Sequence, residues 1–497
     1  MEQISKSRAP KDLSPDIGIV SFETTTFAAY LPIHKDMTYH HLSVLIHRQA
    51  EKYGDKVALK YRDYETEKWI PISWNEFSQT VHRTARAMAA LGIEVQENIG
   101  LFSQNKPECL FTDFAAFANR AVTIPLYATS SAAQAQYIID DARIRYMFVG
   151  EQYQYDAAFS IFGFCRSLQQ LIIFDRSVVR DPRDMTSIYY DEFLELGNDP
   201  KYAAIVEERT ANASDDDLGN ILYTSGTTGE PKGVMLHHFN YREALRIHDI
   251  RLPFMTDQDV SMNFLPLTHV FEKAWTYLCL HRGVQVCVNL RPADIQTTIK
   301  EIRPTLMCSV PRFWEKVYAG VQEKIAQETG LRKAMMLDAI KVGRTHNIDY
   351  LRVGKTPPML LHLKYKFYEK TIYALLKKTI GIENGNFFPT AGAAVPDEIC
   401  EFVHSVGINM VVGYGLTEST GFPRPACSCL SKYCFDCASI RIEKASVRWT
   451  EAFLCRFRFH YPENTADIRD NGQNNILHDI CRNSRSRFCG LPRRRGL

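Results

Sequence analysis

Two periods of hydrophobic residues alternate along this chain. Phe77, Val81, Ala85, Met88 and Leu91 recur at helical steps and Gly92 follows as a stop, which predicts a helix from about Trp74. Ile99–Phe102 is a short apolar run of strand length. Cys109–Ala118 reads as helix, Ala121–Tyr127 as strand, Ala132–Ala142 as helix and Arg145–Val149 as strand, with a further apolar run at Leu171–Phe174. Asp181–Asp217 is polar and acidic and reads as a connector. Beyond it, Leu267, Val270, Phe271, Ala274, Trp275 and Leu278 form a helical stripe ended by Gly283. Gln285–Leu290 reads as strand. Phe313, Val317, Val321 and Ile325 make another stripe, and Lys333–Leu376 is basic, apolar and helical in character. Pro396 opens a helix whose inner face is Ile399, Phe402, Val403 and Val406, and Ile408–Val412 reads as a buried strand. Strands and helices alternating over short loops predict an α/β fold with mainly parallel sheets covered by helices on both faces.

Composition narrows the function. The 497 residues suffice for two or three domains. A formal net charge of +2 gives no reason to expect nucleic acid as a partner. The first residues lack the apolar core of a secretory signal. Leu110–Tyr127, the longest apolar candidate, is interrupted by Asp113, Asn119 and Arg120. The expected location is cytoplasmic, with peripheral membrane contact left open. Six cysteines are scattered before residue 427 in apolar surroundings, as reduced core cysteines are.

The chemistry concentrates in Ile221–Gly233, ILYTSGTTGEPKG. An apolar run ends at Tyr223 and opens into Thr224, Ser225, Gly226, Thr227, Thr228 and Gly229, followed by Pro231 and Lys232. Glycines let backbone N–H groups face an anion, short hydroxyls add donors, and Lys232 adds a point charge. This is a phosphate cradle by composition, and an ordinary surface turn is the plainer alternative. It is not a Walker A loop, because Gly233 stands where Ser or Thr is required. Gly413–Thr420, GYGLTEST, follows the last buried strand. Gly413 and Gly415 permit close approach of a flat ligand, and Glu418 puts a carboxylate at a strand end, where α/β sites form.

The two strings together resemble the signatures of the adenylate-forming superfamily. Leu265–Glu272 (LPLTHVFE) and Pro304–Lys316 (PTLMCSVPRFWEK) resemble long-chain fatty acid–CoA ligases within it. The resemblance implies the large N-terminal domain of that fold over residues 41–420, after an extension at 1–40. It implies that Thr224–Gly229 and Lys232 hold ATP phosphates. Tyr414, with Gly413 and Gly415, is implied to contact adenine, and Thr417 the α-phosphate. Glu418 is implied to bind Mg²⁺. Ala391–Ala394 matches an adenine-lining segment more loosely and adds Gly392, Ala393 and Ala394. His269 and Trp275 are carried over to the acyl pocket, although a structural role suits a lone His and a Trp on an apolar stripe. Lys232, Thr417 and Glu418 are the expected catalytic residues. The implied partners are a long-chain fatty acid, ATP and coenzyme A. Two alternatives stand beside the ligase: an acyl-AMP ligase that loads a carrier protein, and an inactive nucleotide- or acyl-binding protein with a regulatory tail.

The resemblance stops near Thr420. Residues 421–497 hold seven cysteines and twelve arginines but two lysines, Lys432 and Lys444. No Thr-Gly-Asp ribose anchor, small β-barrel or adenylation lysine is recognisable there. Cys427, Cys429, Cys434 and Cys437 offer thiolates in a spacing too cramped for a standard zinc module, and Arg493–Arg495 suggests a basic tail. The abrupt change is the change a one-nucleotide slip of reading frame produces. The tail is therefore expected to be foreign to the fold or disordered, and thioester synthesis by this chain to be weak or absent.

Overall fold

The computed structural model describes residues 39–225 and 230–420, and of Ser225 and Arg424–Pro425 the backbone alone. All of these fall within the unit Met1–Ala438. The Cys/Arg-rich tail and most of the 1–40 extension lie outside the described residues. Strands β1 (Val57–Asp63) and β2 (Lys68–Ser73) form a hairpin. β3 (Asn98–Phe102), β4 (Val122–Leu126), β5 (Tyr146–Val149), β6 (Gln170–Ile173) and β7 (Ile188–Tyr189) follow, separated by helices or loops. β8 (Leu218–Ser225) and β9 (Pro231–His237) make a second hairpin. β10 (Val260–Asn263), β11 (Gln285–Val288), β12 (Phe388–Thr390), β13 (Met410–Tyr414) and β14 (Arg424–Pro425) come last among the described residues.

One sheet has the order β7-β6-β5-β3-β4-β8-β9 and is parallel except at the β8–β9 hairpin. A second has the order β10-β11-β1-β2, parallel except at β1–β2. A third group, β12-β13-β14, adjoins it: Leu306 bridges in parallel to Ser261 and Phe387, and Ser309 to Thr390. The parallel, helix-covered α/β fold is therefore the one the alternating periods predict.

Local chemistry explains where the elements start. Ser73 Oγ accepts from the Glu76 N–H at 3.2 Å and Glu76 returns a carboxylate to the Ser73 N–H at 2.7 Å, a capping box that opens helix Trp74–Ala90. Ser131 and Gln134 do the same for helix Ala132–Ala142. Helix Pro107–Ala118 is buried on all sides from Cys109 onward, which is why it shows no polar face.

Three expectations change. The acidic connector Asp181–Asp217 contains β7 and helices Tyr190–Glu195 and Lys201–Ala211. The second of these buries only Val206, with Tyr202 and Ile205 packed partly against the core, so too few apolar positions mark it. The basic stretch Lys333–Leu376 is not one helix. It breaks after Arg344 through a π turn, Gly354 in the left-handed region and two prolines, and resumes at Met359. The stripe from Leu267 becomes helical only at Val270, because His269 caps the helix there.

The two sheets meet across a buried charge. Asp113 lies on the β3–β4 crossover helix and Lys273 on Val270–His281, the β10–β11 crossover. Their charged atoms are 2.5 Å apart and both side chains are fully buried. Tyr277 donates to the same carboxylate oxygen at 2.9 Å and Thr123 of β4 to the other at 2.7 Å, and Asn220 of β8 in turn donates to Thr123. Buried ions need this degree of satisfaction, since desolvation otherwise exceeds their attraction. Near the N-terminal edge two imidazoles stack, His41 on His238, with centroids 3.4 Å apart. His41 Nδ1 accepts from the Ser43 N–H and His238 Nδ1 from the Leu42 N–H, so each is neutral with its proton on Nε2.

Lys273→Met leaves Asp113 without its cation and is expected to lower unfolding stability by about 3–5 kcal/mol. The double replacement with Asp113→Leu should recover much of that loss. Urea titrations decide it, and a single-variant loss under about 1 kcal/mol would refute a structural role. Burial, outweighing the pull of Asp217, holds His41 down to about 4 from 6.5. Its folded value is below its unfolded one, so the stabilisation is complete above pH 6.5 and is lost as pH falls towards 4. The urea midpoint should drop across that window, and His41→Asn, which can keep the cap, should drop less; parallel curves for both proteins contradict the assignment.

Candidate active site

The phosphate-cradle string forms the β8–β9 hairpin. Thr224 lies opposite Lys232 and Ser225 opposite Pro231 in the antiparallel register. Gly226, Thr227, Thr228 and Gly229, and the side chain of Ser225, lie outside the described residues. Lys232 is exposed and has no carboxylate within 4.0 Å among the described residues. Two tyrosines tie the hairpin to helix Ala132–Ala142: Tyr223 donates to Asp141 at 2.5 Å, and Tyr137 to the Pro231 carbonyl at 3.2 Å. Burial first, then Asp141, raises the Tyr223 hydroxyl far above its usual range, so it stays a donor. Gly233 is needed for close packing, because a Cβ there would lie 2.7 Å from Ile221 Cγ2.

The second string sits at the end of β13. Tyr414 is 59% exposed, an open ring face of the kind that stacks on a flat base. Thr417–Ser419 is a 3₁₀ turn closed by Ser419 Oγ, which accepts from the Leu416 N–H at 3.2 Å and donates to the Leu416 carbonyl at 3.0 Å. Glu418 is exposed, with no cationic side chain within 4.0 Å among the described residues. This turn and β9 approach to within 8 Å between Cα atoms. The hairpin of the first sheet therefore meets a strand end of the third group, β12-β13-β14.

The AGAA segment follows β12, the parallel neighbour of β13. Gly392 has φ +95°, a left-handed conformation that favours glycine. Ala393 and Ala394 are exposed beside it. A lock that periodicity alone does not indicate holds the base of this segment. Trp314 Nε1 lies 2.9 Å from both Ser309 Oγ and Thr390 Oγ1, and the two hydroxyls are 2.7 Å apart. The AGAA and GYG segments thus occupy neighbouring carboxyl ends of parallel strands, the usual site of ligands in α/β sheets.

The LPLTHVFE segment is pinned from below. Asn105 donates to the Leu265 carbonyl at 2.7 Å and to Asn263 at 2.6 Å, and accepts from the Leu267 N–H at 3.0 Å. The buried Glu272 accepts from the Leu265 N–H at 3.2 Å, and burial raises its carboxyl to about 8. His269 is exposed, and its Nδ1 accepts from the Phe271 N–H at 3.2 Å, capping the helix. Trp275 is buried, donates to Ser261 Oγ at 3.0 Å and packs near Phe387. An apolar cavity of about 140 Å³ opens beside this segment, among Leu101, Cys109, Tyr127, Phe264, Leu267 and Thr268. His269 adjoins its lining in sequence, whereas Trp275 stands apart from it in the core. Asn105 carries no motif of its own, and Glu272 closes the LPLTHVFE string without a role read from it; their contacts reveal what both do.

The family described as AMP-binding enzyme matches residues 46–434. The human long-chain-fatty-acid–CoA ligase ACSBG1 is 28% identical over 391 residues, 76% of this chain and 52% of that one. Human ACSBG2 is 27% identical over 366 residues, 71% of this chain and 53% of that one. The chain thus spans about half the length of these relatives. Among solved structures, the adenylation domain of a carboxylate reductase from Mycobacterium chelonae superposes with TM-score 0.57 at 20% identity, covering 78% of this chain and 59% of that one. A long-chain-fatty-acid-CoA ligase, FadD1, from Archaeoglobus fulgidus gives 0.54 at 15% identity, covering 77% and 64%. At these identities the structures share the fold.

Gly233→Ala pushes a methyl against Ile221 and should loosen the hairpin. Amide exchange along 218–237 is expected to rise at least about fivefold, as a local opening does, while helix Trp74–Ala90 stays protected. Unchanged exchange would mean that the close contact yields without consequence.

Proposed function

Because this chain belongs to the AMP-binding enzyme family, we propose that its chemistry is the activation of a long-chain fatty acid to an acyl adenylate followed by transfer of the acyl group to coenzyme A, with thioester synthesis by this chain expected to be weak. The observation that carries the reading is the approach of β9 to the Thr417–Ser419 turn, with Lys232 on one and Glu418 on the other. The names of the 27–28% identical relatives support the long-chain class, as do the LPLTHVFE and PTLMCSVPRFWEK segments.

In this reading an oxygen of the fatty carboxylate bonds to the α-phosphorus of ATP as the bond to pyrophosphate breaks. Negative charge grows on the phosphate oxygens. The Lys232 ammonium opposes it, together with the N–H and hydroxyl donors of Thr224, Ser225, Gly226, Thr227, Thr228 and Gly229. The Thr417 hydroxyl orients the α-phosphate. Tyr414 lies against adenine, with Gly413 and Gly415 on either side of it in sequence and Gly392, Ala393 and Ala394 just past the end of the neighbouring strand β12. Glu418 would hold Mg²⁺, which when bound neutralises phosphate charge. An exposed carboxylate without a cationic neighbour fits that ion. The sulfur of coenzyme A then bonds to the acyl carbonyl carbon, and the bond to AMP breaks. His269 borders the acyl group, and Trp275 supports that region through the core.

The purified chain, incubated with palmitate, ATP, Mg²⁺ and coenzyme A, is read for acyl-AMP and acyl-CoA separately by mass spectrometry, and ATP affinity by calorimetry. Lys232→Ala and Glu418→Gln are each expected to lower adenylate formation about 10²–10³-fold. Glu418→Gln should also remove the dependence of ATP affinity on Mg²⁺. A parent chain that binds no ATP, or two variants that bind it unchanged, would reject the site.

A further inference from the structure

The helical run that resumes at Met359 has two apolar faces. It continues through a π-helical stretch, Glu369–Tyr373, to Ile380. Its inner face is aromatic and fixed. Tyr368 donates to Asp338 at 2.5 Å, Tyr373 donates to the Ala339 carbonyl at 2.6 Å, and Tyr365 stacks on His346 with centroids 3.9 Å apart. The outer face is apolar and lies in water. Met359 is 77% exposed, Leu360 82%, Leu363 54%, Phe367 53% and Leu375 67%. Met359, Leu363 and Phe367 are four residues apart, so they form one stripe. Because the tyrosines hold the opposite side, the stripe cannot roll inward. An apolar patch left on the surface in this way marks a contact with something else.

The charges beside the stripe identify that partner. From Arg352 to Lys378 the sequence has seven basic side chains and one acidic one, Glu369. Lys364 pairs with Asp338 and Lys366 with Glu369. Lys355, Lys370 and Lys378 are exposed and have no carboxylate within 4.0 Å among the described residues. Apolar side chains flanked by unpaired lysines are the pattern of a helix lying in the headgroup layer of an anionic bilayer. Lysine stems extend along apolar surface while their ammonium groups meet phosphates. No helix among the described residues is long and apolar enough to cross a membrane.

We propose that the outer face of Met359–Ile380 docks this chain on an anionic lipid surface, with Met359, Leu360, Leu363 and Phe367 entering the acyl boundary and Lys370 and Lys378 meeting headgroups. The proposal is independent of the ligase reading, since it involves none of that site's residues.

Flotation of the full chain with vesicles of phosphatidylcholine, with and without phosphatidylserine, tests it. The parent should float with the phosphatidylserine vesicles, and less so at high salt. Leu360→Ser/Leu363→Ser/Phe367→Ser and Lys370→Glu/Lys378→Glu should each reduce binding at least about tenfold. Phe367→Trp adds a reporter that leaves the face apolar, and its emission should shift to the blue when those vesicles are added. A parent that does not float, or variants that float equally, overturns the proposal. So does a concentration-dependent dimer that the triple serine variant dissolves, which assigns the face to a second copy. Trp emission already blue before lipid is added assigns it to another part of this chain and overturns it as well.

Discussion

A lysine and an aspartate, both out of water and touching, join the two halves of this fold. Asp113 and Lys273 come from the crossover helices of different sheets, and neither charge is tolerable without the other. Tyr277 and Thr123 take up remaining hydrogen-bonding capacity of the carboxylate, and Asn220 extends the chain of donors to β8. The pair is directional where apolar packing is not. It fixes how far the helix Val270–His281 lies along Pro107–Ala118, and so relates the strand ends of one sheet to those of the other.

That relation matters because the candidate site belongs to neither sheet alone. The first contributes the β8–β9 hairpin; the third group, which adjoins the second sheet through the Leu306 bridges, contributes the ends of β12 and β13. The loops that meet there are short, and each is secured locally: Tyr223 and Tyr137 on the hairpin, Ser419 in its turn, Trp314 under AGAA. Rigid anchoring close to exposed groups is how a protein keeps charged side chains ready without letting them collapse onto each other.

The periodic elements were legible because they follow local rules. Phe77, Val81, Ala85 and Met88 announce a helix, and Ile99–Phe102 a buried strand, whatever surrounds them. The two signature strings were legible because small, turn-forming and charged residues occur there in a fixed order. The connections were not. Asp113 read only as an interruption of an apolar run, since its partner lies 160 residues away. Arg120, another interruption, forms a two-point pair with Asp217, 97 residues away. Helix Lys201–Ala211 was hidden because its charged faces outweigh its few contacts. Asn105 and Glu272 work through backbone groups, which leave no trace in composition. Within the hairpin, the loop tip lies outside the described residues, so the sequence remains the source for Gly226–Gly229.

The hairpin also closes one margin of its sheet. Among the described residues β9 has β8 on one side and no strand on the other. A border strand is held by half the usual ladder, and sliding by one residue would turn every side chain to the opposite face, Lys232 included. The tight fit of Gly233 over Ile221 and Tyr223 admits no larger neighbour at that place, so a shifted alignment meets a steric clash at once. The smallest residue in the strand thus acts as its indexing pin, and the orientation of the lysine beside it follows from the absence of a side chain.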